Sequence, residues 1–210
     1  MAETSAASSW REPTQPRSRK RVRAILDATE KLLIESDVAT VKMTEVARVA
    51  GVPVGSVYQY FPTRTALLTK LFEDQVAGID STLKAGLSQL TNWDQLEGFV
   101  VAASATAHDL VQQSPCLQKI WNSTGVDPAI EIADQRTTLH NARILTETLL
   151  RIAPHPISET LAFASAILFF QTWSTMMKLL PNIEDEHLRD AIREQHVAMV
   201  LNHLKAAFDR

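Results

Sequence analysis

The apolar residues of this chain recur mostly three and four apart, a period that one face of an α-helix can bury and a β-strand cannot. Val22, Ile25, Leu26, Thr29, Leu32 and Leu33 set the pattern, on a helix expected to end near Ser36–Asp37. Few windows are rich in Val, Ile and Thr with a period of two, and only 6 Gly occur in 210 residues. The expected fold class is therefore all-α. Breaks at Asn92, Ser114-Pro115, Gly125 to Pro128, Pro154 to Pro156 and Pro181-Asn182 divide the later chain. They predict helices at about Arg64–Leu90, Trp93–Gln113, Cys116–Ser123, Pro128–Ile152, Ile157–Leu180 and Glu184–Asp209.

Between the first helix and Arg64 the periodic runs are much shorter. Met43, Val46, Ala47 and Ala50 fall on the inner face of one short helix, which stops at Gly51, where a left-handed backbone costs little. Val54 to Phe61, bounded by Pro53 and Pro62, has room for about two turns, with Pro53 near its start, where a missing N–H is cheap. Three short helices with a tight Ala50-Gly51-Val52-Pro53 turn make a helix-turn-helix. The expected organisation is a disordered tail at 1–16, poor in anything to bury, a helix-turn-helix domain at 17–63 and a larger helical domain at 64–210.

The net charge of −3 divides unevenly along the chain. Residues 1–70 hold 11 Lys/Arg and 7 Asp/Glu, net +4; residues 71–210 hold 10 and 17, net −7. A basic head on an acidic body suggests that the head alone meets a polyanion. The run Arg17, Arg19, Lys20, Arg21 and Arg23 reads either as a solvated face or as phosphate contacts, and its position at the start of an amphipathic helix favours the second. A lone cysteine, Cys116, excludes an internal disulfide framework and suggests a cytoplasmic setting. The N-terminus lacks a signal peptide's apolar core, and the most apolar run, Leu161 to Phe170, is too short to cross a bilayer.

Met43-Thr44-Glu45-Val46-Ala47-Arg48-Val49-Ala50-Gly51-Val52-Pro53-Val54-Gly55-Ser56-Val57-Tyr58-Gln59-Tyr60-Phe61-Pro62-Thr63-Arg64-Thr65-Ala66-Leu67-Leu68 closely resembles the DNA-binding signature of the TetR family of regulators. The match has no gap and covers about residues 18–70. The resemblance implies a recognition helix at Val54–Phe61, and the residue types suit it. Gly55 lets the helix approach a duplex, and Ser56 and Tyr58 carry hydroxyls for phosphate oxygens. Gln59 can pair with adenine in the major groove, Tyr60 can reach a base edge or phosphate, and Val54 can touch a thymine methyl. Arg64 resembles the basic residue that many members place on the DNA backbone. Phe61 is expected in the core, and Tyr58 and Tyr60, two apart, cannot both point inward. Lys42 and Pro53 stand where the family usually has capping Ser or Thr, so a shifted cap from Thr40 or Thr44 is expected for the second helix. Lys42 joins the expected DNA-contact set.

For residues 64–210 the resemblance implies a homodimer interface and a small-molecule effector pocket. The interface candidates are Leu161, Ser165, Leu168, Thr172 and Met176 on one helix and Ile192, Met199 and His203 on the next; the alternative is packing within one chain. A two-fold dimer would read half-sites at least about 34 Å apart. Polar or aromatic residues in apolar helices are the effector candidates: His108, Gln112, Trp121, Asn122, Arg136, His140, Asn141, Phe170 and Trp173. Phe170 and Trp173 favour an apolar or aromatic effector.

No nucleophile, cofactor loop or metal set emerges from the pattern. Glu184-Asp185-Glu186-His187 offers half of a di-iron motif at a helix start that favours acids anyway, and His196 and His203 stand seven apart. The expectation is a regulator that binds double-stranded operator DNA and is released by its effector, with no enzyme activity, cofactor, metal or membrane partner. An activator of the same fold, or a helical ligand carrier with a vestigial head, is the alternative.

Overall fold

A computed structural model describes residues 10–123 and 127–208. Among these residues the chain is helical, with no strand. The helices are α1 (Pro16–Glu35), α2 (Met43–Ala50), α3 (Val54–Tyr60), α4 (Arg64–Gln89), α5 (Asp94–Gln112), α6 (Pro115–Asn122), α7 (Pro128–Ile152), α8 (Glu159–Leu179) and α9 (Glu186–Phe208). Two short 3-10 turns, Val38–Thr40 and Leu180–Asn182, link α1 to α2 and α8 to α9. The break expected at Gly125 falls partly outside the described residues.

The chain forms two compact units. The first holds the described residues up to Ala77 together with those of Ser114–Asp134; the second holds Gly78–Gln113 and the described residues from Gln135. The division therefore does not fall at 63/64: α4 lends its first half to one unit and its second half to the other, and α6 joins the head. In the first unit Ile25, Leu33, Val46, Val57, Phe61 and Phe72 are buried among the helix-turn-helix elements. Gly51 ends α2 with a φ of 67°, and its N–H reaches back to the helix carbonyls, so the tight turn relies on the left-handed conformation as expected. Lys119 of α6 donates from Nζ to the carbonyls of Ile34 and Ser36 at 3.0 and 3.2 Å, satisfying acceptors at the α1 C-terminus. Burial pushes the Cys116 thiol up to about 12, Glu30 adding to the shift and Lys119 opposing it.

The segment before α1 departs from a disordered tail. Trp10 stacks on Phe61, ring centroids 6.1 Å apart, with the Lys70 ammonium 4.8 Å over the indole. The Arg11 N–H donates to the Tyr60 carbonyl at 3.0 Å. Residues 1–9 of the expected tail lie outside the described residues.

In the second unit α5 packs on α9 and α8 on α9. The core gathers Leu87, Val100, Leu149, Ala166, Phe170 and Leu204 from five helices, and Leu96, Ile152 and Phe208 continue it. Gly86 has no side chain where α4 meets α5; a Cβ there would lie 2.5 Å from Phe99 Cε2. Arg151 donates to the Leu87 carbonyl at 3.0 Å and also to that of Leu90, closing the end of α4. At the other end of this half-helix, Gly78 stands at the join between the units, its carbonyl accepting from the hydroxyls of Ser81 and Thr82 at 2.9 and 3.0 Å.

One expectation about the apolar pattern changes. By length and mean hydropathy alone, the stretch Glu159–Asn182 is long and apolar enough to cross a membrane, because the run continues past Gln171. In the fold α8 buries Ala162, Ser165, Ala166, Phe170 and Met176 within its unit.

Candidate nucleic-acid interface

The geometry of α3 follows from its seven residues. Val57, Tyr60 and Phe61 stand three and four apart and face inward, so Val54, Gly55, Tyr58 and Gln59 must face out. Val54 is 43% exposed and Tyr58 48%, high values for such side chains. A Cβ at Gly55 would meet nothing within 4 Å, so packing within the chain does not require glycine there. That open space agrees with the close approach to an external surface that the motif suggested. Ser56 is half-buried beside this face.

Tyr60 departs from the expectation of a DNA contact. It is 7% exposed, since its position shares the inner face with Val57. Its carbonyl, at the open end of a short helix, is satisfied by Arg11. Arg64 departs as well. Its Nη1 donates to the carbonyls of Val38 and Ala39 at 2.9 and 2.8 Å, tying the guanidinium to the turn before α2. The side chain expected on a phosphate thus holds the head together.

Neither short helix has a side-chain cap. Lys42 is the N-cap of α2 and Pro53 that of α3, and neither offers an acceptor. The shifted cap does not form either: the Thr40 hydroxyl donates to the Asp37 carbonyl at 2.8 Å. Lys42 itself is exposed. Arg17, Lys20 and Arg21 are exposed on the first turns of α1, while Arg19 donates from Nε to the Pro13 carbonyl at 3.4 Å and Arg23 pairs with Asp27 at 2.7 Å. Two cations were missed by the sequence reading. Arg48, exposed on α2, holds only a loose 3.7 Å pair with Glu45, and Arg11 is exposed on the segment fixed by Trp10. A tryptophan followed by arginine in a Ser- and Ala-rich stretch was the available signal for the second.

The effector candidates do not come together. Gln112, Asn122, Arg136 and His140 are exposed. Trp121 is buried in the first unit, donating from Nε1 to Asp134 at 2.9 Å and meeting Phe72 edge-on. Trp173 is half-buried on α8. His108 is half-buried on α5, its pKa lowered by burial and by the Arg193 charge. Asn141 is buried on Asp80 of the same unit, Nδ2 to Oδ1 2.7 Å. Phe170 alone of the set lines a small apolar cleft in the second unit, about 20 Å³ in volume. That cleft lies among Leu83 and Leu87 of α4, Phe99 and Ala103 of α5, Leu145 of α7, Phe169 of α8 and Val200 of α9. Such residues look like any core position in sequence, so no local signal could have marked them.

The interface candidates divide in two. Leu161 and Leu168 on α8 and Met199 on α9 are exposed, at 43%, 58% and 53%, with Leu179 and Leu188 beside them in sequence pattern. Ser165 and Met176 instead are buried within the unit, and the Ser165 hydroxyl lies 2.9 Å from His203 Nε2 of the same chain. These two belong to intrachain packing because they fall on the α8 face turned toward α9 and the core. Thr172 and Ile192 are half-buried and His203 exposed.

Comparison with known proteins agrees with this anatomy. Residues 25–71 match the model for bacterial regulatory proteins of the tetR family. An HTH-type transcriptional regulator of Mycobacterium tuberculosis is 27% identical over 100 residues, 48% of each chain, so the match spans about half the length of that relative. Among solved structures, a TetR transcriptional regulator from Rhodococcus sp. RHA1 has a TM-score of 0.59 at 22% identity, covering 88% of this chain and 97% of that one. The fatty acid degradation regulator FadR from Bacillus halodurans has a TM-score of 0.66 at 14% identity, covering 92% and 99%. The TetR family repressor AlkX from Dietzia, implicated in biodegradation of n-alkanes, has 0.61 at 15%, covering 90% and 98%.

Proposed function

We propose that this TetR-family chain is a sequence-specific transcriptional repressor that holds operator DNA as a homodimer in the cytoplasm and releases it when a small molecule fills the second unit. The observation that carries the reading is the outward face of α3. Val54, Gly55, Tyr58 and Gln59 are all exposed on a helix braced from behind by Val57, Tyr60 and Phe61. A soluble protein gains nothing for its own stability from exposing such a face, and every one of these groups suits a groove or a phosphate. Arg17, Lys20, Arg21 and Lys42, together with Arg11 and Arg48, would supply the phosphate contacts. The repressor role is favoured by analogy with AlkX, a protein of this fold so named.

The dimer reading rests on the exposed apolar side chains of α8 and α9. Leu161 and Leu168 stand seven apart, so they fall on one stripe, and Leu188 and Met199 offer a second. A symmetric pair of such helices would bury both stripes in a bundle. The effector reading rests on the resemblance to the TetR family. The apolar void of the second unit, about 20 Å³, has room for about one water and would have to widen to admit an effector. Effector binding is expected to act through α4, which contributes to both units.

The test is a gel-shift titration of purified protein against DNA from upstream of its own gene, with random DNA as competitor. A discrete complex that survives competitor, and weakens steeply as salt rises, is the expected result. No complex at low salt, with the dimer confirmed, would leave α3 without its role.

A further inference from the structure

The described residues before α1 have little to bury, yet contacts hold them at both ends. The Trp10 indole stacks on Phe61 with the ring planes 16° apart, and Lys70 of α4 lies over the indole. Lys70 also pairs with Asp74 at 2.7 Å, so its ammonium is engaged on two sides. The Arg11 N–H donates to the Tyr60 carbonyl, one of those that a helix leaves open at its C-terminus. At the other end of the segment the Pro13 carbonyl accepts from Arg19 of α1. Glu12 and Gln15 each precede a proline, which favours extended backbone, and Gln15 is extended, with φ −95° and ψ 146°. Residues 10–15 therefore run as a strap from the end of α3 to the first turn of α1.

The strap sets a charge beside α3. Neighbouring side chains of an extended chain point to opposite faces, so with Trp10 turned onto Phe61, Arg11 turns away from the core, and it is exposed. Its backbone bond to Tyr60 seats it at the end of the same helix that presents Tyr58 and Gln59 outward. Over residues 10–21 the cations Arg11, Arg17, Arg19, Lys20 and Arg21 face one carboxylate, Glu12, a balance suited to a polyanion. An arginine on a loose tail would have to be ordered when it met DNA, and that entropy would be lost from the binding free energy. Here the backbone that carries Arg11 is ordered beforehand.

We infer that Trp10 is a positioning residue for DNA binding: anchored on Phe61, it fixes the strap so that the Arg11 guanidinium meets a backbone phosphate beyond the end of α3. The inference rests on the reading of α3 as the DNA-binding helix and adds a second, pre-ordered element to the surface that meets the duplex. Trp10 acts through Arg11, and Lys70, held between the indole and Asp74, secures the anchor. A phosphate contact of this kind fixes register without reading sequence.

The test measures binding of the full chain to upstream DNA and to random DNA by fluorescence anisotropy, between about 50 and 200 mM salt. Arg11→Ala should weaken both about tenfold and lower the salt slope by about one for each bound head. Trp10→Ala removes no charge, yet should reproduce both changes, and the double variant should bind no more weakly than either single one. Trp10→Phe, which keeps a ring on Phe61, should restore the slope. A merely structural Trp10 would lower the melting temperature and leave the slope in place. Because Arg11 is exposed, Arg11→Ala keeps the fold and decides the matter even where Trp10→Ala does not fold. An unchanged slope in Arg11→Ala, or losses that add in the double variant, would overturn the inference. A loss confined to the upstream DNA would make Arg11 a base reader and overturn the phosphate contact. Binding that is lost in Tyr58→Phe with Gln59→Ala but indifferent to Arg11→Ala would sink the strap and keep α3 as the reading helix. Unaltered protein that binds neither DNA would sink both.

Discussion

Tyr58 and Tyr60 are chemically alike and two residues apart, yet the helix gives them opposite tasks. Tyr60 fills the core behind α3 while Tyr58 stands in solvent. Replacing Tyr58 by Phe with Gln59 by Ala should cost at least about tenfold in operator affinity, as one or two lost hydrogen bonds would, and leave the melting temperature in place. Tyr60→Ala should instead destabilise the fold by about 3 kcal/mol, read by denaturant titration. A Tyr60→Ala protein that melts normally but fails to bind DNA would restore Tyr60 to the contact set. The sequence showed that one of the two had to be exposed, but not which, because that depends on where Phe61 and the rest of the head core lie. Arg64 has a structural task hidden for a related reason: the carbonyls of Val38 and Ala39 that accept from its Nη1 belong to a turn 26 and 25 residues earlier. Two histidines carry a pH consequence. Burial is the first cause lowering the pKa of both His108 and His196, so the folded chain binds fewer protons there than the unfolded chain. Their contribution to stability is present above the unfolded value near 6.5 and is lost as pH falls through the folded values. Thermal stability should decline below that pH, and less so in His196→Phe.

At the scale of elements, the period of three and four residues was enough to place α1 to α9 to within a residue or two at most ends. Pro128–Ile152 coincides with α7. The turns Val38–Thr40 and Leu180–Asn182 went unseen because three residues hold no period to detect. The missing caps were visible as Lys42 and Pro53, and the structure shows nothing nearby taking over from Lys42. Lys42→Thr should therefore stabilise the head by about 0.5–1 kcal/mol, measured as a rise in unfolding free energy. The same change removes an exposed cation beside the proposed DNA face. A stabilised variant with weaker, less salt-dependent DNA binding would support a phosphate contact from Lys42; unchanged binding would remove it from the set.

For the whole molecule, the proposed DNA-reading face was legible because it lies on one short helix, whereas the cleft was not, because five helices supply it. No one-dimensional pattern states which turns of α4, α5, α7, α8 and α9 lie level with one another. The proposed dimer stripe falls between these cases: of the residues expected on it, Leu161, Leu168 and Met199 are exposed, while Ser165 and Met176 are buried on the inner side. Leu168→Glu with Met199→Glu should convert the proposed homodimer to monomer in size-exclusion chromatography and remove discrete operator complexes. A double variant that stays dimeric would place the interface elsewhere. The passage of α4 through both units has a mechanical meaning. A helix that serves two bodies is a beam, and at the join Gly78 lacks a side chain and two hydroxyls compete for its carbonyl, a combination that loosens a helix. Gly78→Ala removes that compliance, adding about 1 kcal/mol of helix stability. It should leave ligand affinity unchanged and shrink the ligand's effect on DNA binding, so that a stiffer beam makes a deafer switch.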